Sequence, residues 1–218
     1  MMLHCGMVME WKRARNSKQV ELRVQSITDA CEKLLTKSLP QDLKMRDIAE
    51  ESGLAVGAIY RYFSSKEALI LSVYLNKMQD LLNDVANYSP IEGGLDELSI
   101  YLAKTYAEHK FFWYLSTFAG TILETNLPEN EVKEHKISAM EMTSNCIEQL
   151  VIKVPEMSIE EIFTLFMDSF FYTCGIYSFA FPPKHIDKIL EDPKLSNFKP
   201  HWESSIRRML NGLLCIRD

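Results

Sequence analysis

The chain has 218 residues, 47% of them hydrophobic, enough to pack one large domain or two modest ones. Its five cysteines, Cys5, Cys31, Cys146, Cys174 and Cys215, are scattered without Cys-x-x-Cys spacing, which excludes a disulfide scaffold and fits reduced, mostly buried thiols in a cytosolic protein. A formal net charge of -6 alone argues against nucleic acid, but residues 12 to 77 carry twelve Lys and Arg against eight Asp and Glu, so the acidic excess lies in the rest of the chain.

At the amino terminus a short apolar run is broken by His4, Glu10 and Trp11, so it builds no secretory signal. Lys12, Arg13, Arg15 and Lys18 read as a polar, mobile arm over residues 1–17, able to reach a DNA groove or backbone, or equally a plain charged tail. A first helix is expected from Lys18 to Lys37, with Ile27, Ala30, Cys31, Leu34 and Leu35 at helical spacing. Residues 44–69 then read as two short helices around Gly53 and the start of a third. Two helices crossing steeply need a small residue at the crossing and a permissive one in the turn, and Ala49 and Gly53 fill those places. Ile48, Leu54 and Ile59 fill the wedge between them. The second short helix is expected over Ala55 to Tyr62, with Arg61 flanked by Tyr60 and Tyr62 on its outer face. Ser64 stands three residues ahead of Glu67, as a capping box requires, and puts Lys66 in the first turn of the next helix. Such a helix-turn-helix points to DNA, in a domain spanning residues 18–65.

Asp47-Ile48-Ala49, Gly53, Tyr60-Arg61-Tyr62-Phe63 and Ser65-Lys66-Glu67 together resemble the amino-terminal domain of the tetracycline-repressor-like (TetR) family of bacterial transcription regulators. The close resemblance covers roughly residues 20 to 75. It implies an all-α protein, in which a three-helix helix-turn-helix domain is joined to a larger helical ligand-binding and dimerisation domain. Two features depart from the family pattern. Lys44 stands where a capping Thr or Ser is usual, leaving Asp42 as a candidate cap, and Ala55 and Val56 open the recognition helix where Ser is usual. Base reading would rest on Arg61, on thymine-methyl contacts from Ala55 and Val56, and on DNA shape. The candidate DNA-facing set is Lys44, Arg46, Ala55, Val56, Gly57, Ala58, Tyr60, Arg61, Tyr62 and Lys66. Tyr60 and Phe63 as core residues, and Lys66 as an ordinary surface lysine, are the competing assignments.

The remaining residues, 66–218, read as helical throughout. A helix from about 66 to 85, through Leu71, Leu75, Met78 and Leu82, links the two parts, and Pro90 to Gly94 break the chain. Helices are expected at 95–109, 110–125, 130–153, 158–181 and 200–216, with a short piece near 184–191; Ser158 and Glu161 form a second capping box. The apolar run Ile162 to Phe181 has the length of a membrane span. Asp168 near its centre and Thr164, Ser169, Thr173 and Ser178 along it favour a helix buried by protein and by a second subunit.

The histidines lack metal-ligand spacing, and no phosphate loop or nucleophile elbow occurs, so neither an enzyme, a metal nor another cofactor is expected. The candidate ligand-binding set is Phe111, Trp113, Tyr114, Phe118, Glu124, Met140, Met167, Asp168 and Tyr172; plain core packing is the alternative for its rings and sulfurs. Glu124 and Asp168 would favour a cationic ligand, the aromatics a hydrophobic one. The expectation is a cytoplasmic homodimer that binds a near-palindromic double-stranded operator and is released by a small-molecule effector. The competing readings are a helical protein-interaction module that does not read DNA and a ligand-free activator or architectural protein.

Overall fold

The computed structural model describes residues 5–90 and 94–215, with side chains described from residue 18 onward. Among the described residues there is no strand, and the chain forms two compact units, Met1–Val73 and Tyr74–Asp218. The expected boundary at residue 65 follows the start of a helix, whereas the units divide inside that helix, between Val73 and Tyr74.

The first unit holds α1 (Cys5–Leu35), α2 (Met45–Ser52), α3 (Val56–Ile59) and the first turns of α4 (Lys66–Ala86). Helix α1 begins at Cys5 rather than near Lys18, because nothing from Met7 to Arg15 breaks a helix. The side chains of Lys12, Arg13 and Arg15, on which the arm depends, lie outside the described residues. Ile27, Cys31, Leu35, Ile48, Ala49 and Ile59 are buried, each large aliphatic contributing roughly 1.5–3 kcal/mol. Leu34 and Leu54, expected beside them, are only partly covered.

Gly53 ends α2 at φ 68°, a conformation that penalises any Cβ. Two bonds close the end: Leu54 N–H donates to Ala49 O at 2.9 Å and Gly53 N–H to Glu50 O at 3.2 Å, the pair that defines a Schellman stop. At the other end of α2 the N-cap is Lys44, not Asp42. Its side chain has no acceptor atom, so only half a capping box forms, with Lys44 N–H donating to Asp47 Oδ2 at 3.3 Å. Helix α4 starts at Lys66, where the sequence places it. Ser65 Oγ accepts from Ala68 N–H at 3.0 Å, which makes Ser65 a cap of this helix.

The second unit continues α4 and adds α5 (Gly94–Glu108), α6 (Lys110–Phe118), α7 (Glu129–Val151), α8 (Ile159–Ala180), the short α9 (Lys184–Ile189) and α10 (Trp202–Cys215). Helix α8 packs on α6, α7 and α10, and α10 also packs on α5. The expected helix over 110–125 is regular only to Phe118; Ala119–Leu123 winds as a π-helix and Glu124–Asn126 as a 3₁₀ turn. Side chains competing for backbone carbonyls account for this: Thr121 Oγ1 donates to Thr117 O at 3.1 Å and Asn126 Nδ2 to Ile122 O at 2.7 Å, with Gly120 just before Thr121.

Ser158 caps α8 as expected, accepting from Glu161 N–H at 3.2 Å while its own N–H donates to Glu161 Oε2 at 2.7 Å. Helix α8 is long and apolar enough to cross a membrane, yet Ile162, Leu165, Phe166, Ser169 and Thr173 are buried in the unit's interior. Ser169 Oγ pairs with the buried Tyr106 hydroxyl at 3.0 Å, and burial pushes that hydroxyl up to about 12. Such a buried polar pair belongs to a core helix rather than to a lipid-facing one.

Candidate nucleic-acid interface and ligand surface

In α3 the one fully buried side chain is Ile59, and its burial fixes what the rest of the segment presents. The regular helix is a single turn. Weaker turns extend it, with Tyr60 N–H donating to Val56 O at 3.3 Å and Tyr62 N–H to Ile59 O at 2.9 Å. Ala55, Gly57, Tyr60, Arg61 and Tyr62 are exposed, whereas Val56 and Ala58 are half-covered. Tyr60 is 52% exposed, so its competing assignment as core does not hold; Phe63, at 8%, is core. Lys44 and Arg46 are exposed at the start of α2.

Lys66 behaves differently from the other basic candidates. Its ammonium donates to the Gln41 carbonyl at 3.1 Å and lies 3.7 Å from Glu67, with most of the side chain covered. It ties the segment before α2 to the start of α4, and only its remaining N–H groups are available to a phosphate. Lys33 likewise pairs with Glu51, joining α1 to α2 in an exposed bridge of small energetic weight. Neither Gln41 nor Glu51 carries a signal in sequence, since both partners meet only through the fold.

The candidate ligand residues divide among three places. Trp113 is 1% exposed, its ring packed on Phe112 and Tyr106 and its N–H donated to Tyr106 O at 2.8 Å, so it is core. Phe111, Tyr114 and Phe118 form a half-buried ladder along α6, with centroid separations of 6.0 and 5.2 Å. Met167 is half-buried on α8, where Asp168 and Tyr172 stand exposed one turn apart. Glu124 and Met140 line an open surface groove of about 530 Å³ beside α7, with Leu127, Val132, Lys136 and Ile137. Glu124 is already paired with Lys136 at 2.9 Å, which weakens it as a selector of cations. These residues converge on no single cavity.

Several polar groups escaped the sequence reading. Tyr74 stacks on Phe112 at 5.2 Å, and burial pushes its hydroxyl up to about 12 despite a hydrogen bond with Ser116. His109 Nε2 contacts Asp84 Oδ2 at 2.8 Å. Burial lowers the His135 pKa, opposed by Glu124, Glu131 and Glu134. Lys110, Tyr177, Phe181 and Trp202 meet in an aromatic corner. The only hint of that corner in sequence is aromatic composition, because spacing does not bring residue 202 beside residue 181. Among the described residues no group of three His, Cys, Asp or Glu side chains is placed to hold a metal ion.

Two family descriptions cover most of the chain: "Bacterial regulatory proteins, tetR family" over residues 27–73 and "Tetracyclin repressor-like, C-terminal domain" over residues 75–215. Their junction coincides with the division between the compact units. An uncharacterised HTH-type transcriptional regulator of Mycobacterium tuberculosis, Rv1255c, is 40% identical over 60 residues, a stretch spanning 28% of each protein. The HTH-type regulator YerO of Bacillus subtilis is 32% identical over 99 residues, 42% of this chain and 32% of that protein. The fold matches a TetR transcriptional regulator from Rhodococcus sp. RHA1 with a TM-score of 0.58 at 19% identity, covering 89% of this chain and 96% of that one. It also matches the regulator FadR of Bacillus subtilis in complex with stearoyl-CoA, with a TM-score of 0.54 at 13% identity over 87% and 96% of the two chains.

Proposed function

The chain belongs to the tetR family of bacterial regulatory proteins, and on that premise we propose that it is a sequence-specific, DNA-binding transcriptional regulator. The observation that carries this reading is the surface left by the burial of Ile59: Arg61 between two exposed tyrosines, with Lys44 and Arg46 exposed at the neighbouring helix start. Arg61 reads a guanine edge, Tyr60, Tyr62 and Lys44 hold phosphates, and Ala55 and Val56 sit against thymine methyls. Lys66 contributes through its free N–H groups while holding the Gln41 carbonyl.

The protein works as a cytoplasmic homodimer, and the exposed rings of Phe171, Tyr172 and Phe179 on α8 support such an association. Two copies place two recognition helices on the half-sites of a near-palindromic operator. A small effector bound by the carboxy-terminal unit releases the DNA, as expected of a repressor; the stearoyl-CoA held by the structurally similar FadR supports an organic effector for this fold. Effector and operator then weaken each other by one shared coupling energy.

Selection from random double-stranded DNA by the purified protein at near-physiological salt tests this reading. Enrichment of a palindrome with half-sites about one helical turn apart is expected. No enrichment by a folded, dimeric protein would transfer the motif to a protein-interaction role.

A further inference from the structure

We propose that the corner where α6, the end of α8 and the start of α10 meet is a binding site for an aromatic carboxylate. The proposal deepens the effector reading above and rests on it for its regulatory meaning.

Trp202 opens α10, and its indole N–H is buried without a hydrogen-bond partner. The contrast with Trp113 is direct, since that buried indole donates to a carbonyl at 2.8 Å. A buried N–H lacking an acceptor has lost its water with nothing in return, so it marks a place where an acceptor is due. The Trp202 ring is flanked edge-on by Tyr177, at 5.6 Å and 90°, and by Phe181, at 5.3 Å and 65°. Phe181 is the outer cover. It is 39% exposed, follows the last residue of α8 and carries the Lys110 ammonium 5.3 Å from its ring centroid.

The polar side-chain groups of Lys110, Trp202 and Tyr177 can each donate a hydrogen bond. Lys110 brings a positive charge and, among the described residues, no carboxylate answers it. Tyr177 keeps its proton, its hydroxyl pushed up to about 12 by burial and by the nearby Tyr114. A carboxylate supplies two oxygens for the ammonium, the indole N–H and the phenol, in charge-assisted bonds. The ligand's ring replaces or stacks on Phe181, whose partial exposure gives it room to turn aside. A cationic ligand meets Lys110 as a like charge. A neutral one leaves the ammonium unanswered.

Calorimetric titration of the full chain, without DNA, with cinnamate and with cinnamyl alcohol tests the site. Cinnamate should saturate one site per chain, and the alcohol should bind about tenfold more weakly or worse. Lys110→Met should weaken cinnamate about tenfold and leave the alcohol unchanged. Trp202→Phe keeps a ring in the corner and removes the N–H; it should weaken cinnamate by about threefold to tenfold. Circular dichroism checks that this variant folds, and the exposed Lys110 carries the test if it does not. Equal binding of acid and alcohol, no saturable binding of cinnamate, or an unchanged affinity in Lys110→Met overturns the proposal. Cinnamate binding with the predicted Lys110 dependence but no change in DNA affinity upholds the site and defeats only the effector reading.

Discussion

Arg61 stands exposed between two exposed tyrosines, two residues beyond buried Ile59, so among the described residues of its unit nothing holds its guanidinium and DNA is free to order it. If it forms a bidentate pair with guanine, Arg61→Ala should weaken operator binding by roughly 1–3 kcal/mol and relax preference at one base pair. Lys44→Ala should instead weaken binding evenly across sequences and reduce the salt slope by about 1. Competition binding against a library of single-base operator variants separates the two; an even loss for Arg61→Ala would make it a phosphate contact. The cysteines allow a second prediction at this scale. Burial pushes the Cys31 and Cys146 thiols up to about 12, so neither forms appreciable thiolate at pH 8, whereas Cys215 is exposed. Iodoacetamide labelling at pH 8 with peptide mapping should modify Cys215 readily and Cys31 and Cys146 only after unfolding; early labelling of Cys31 would contradict its place in the core. Gly53 and the Ser158–Glu161 pair were legible in sequence because each acts through its immediate neighbours. The cap at Ser65 was not, since Ser64 and Ser65 are chemically alike and the choice is made by where the helix axis of α4 emerges from the turn.

Among the elements, the stop of α2 is the most sharply defined by local chemistry. Gly53 sits at φ 68°, and a Cβ built on it meets nothing within 4 Å, so Gly53→Ala should carry only the left-handed backbone penalty, about 1–2 kcal/mol. Urea unfolding followed by circular dichroism measures this; a neutral or stabilised variant would mean that the turn can relax to negative φ. Helix α6 shows the limit of the periodic pattern. Phe111, Phe112, Leu115 and Phe118 keep helical spacing and made the element legible, while the apolar stripe carries no sign of the unwinding after Phe118. That unwinding comes from hydroxyl and amide groups bonding back to carbonyls, a competition that propensity only weakly registers. The candidate ligand set divided for a related reason. Helical spacing shows that Trp113 and Tyr114 leave the helix in different directions, but which direction is core depends on where α8 and α5 pack.

At the scale of the whole molecule, the order of a small DNA-facing unit and a larger helical one was legible from the motif and the charge asymmetry. What covers the second unit was not, because an apolar side chain in sequence does not name the chain that buries it. Helix α8 is where this matters. Phe171 and Phe179 are 62% and 65% exposed, and Gly175 lies between them on the same face with nothing within 4 Å of an added Cβ. Glycine inside a helix is about 1 kcal/mol worse than alanine, and among the described residues no neighbour requires its smallness. Close approach by a second copy's helix would explain both the glycine and the exposed rings, since a missing side chain lets two backbones come near while the phenylalanines pack around the crossing. Gly175→Leu separates the two situations. In a single chain the leucine points into open space and improves helix propensity, so thermal unfolding of the monomer should not suffer. Across a two-fold interface it meets its own copy, and sedimentation equilibrium should show dimer dissociation strengthened by at least about tenfold, with a matching loss of preference for palindromic over half-site DNA. An unchanged dimer would place the interface elsewhere and leave the exposed rings of α8 for another partner.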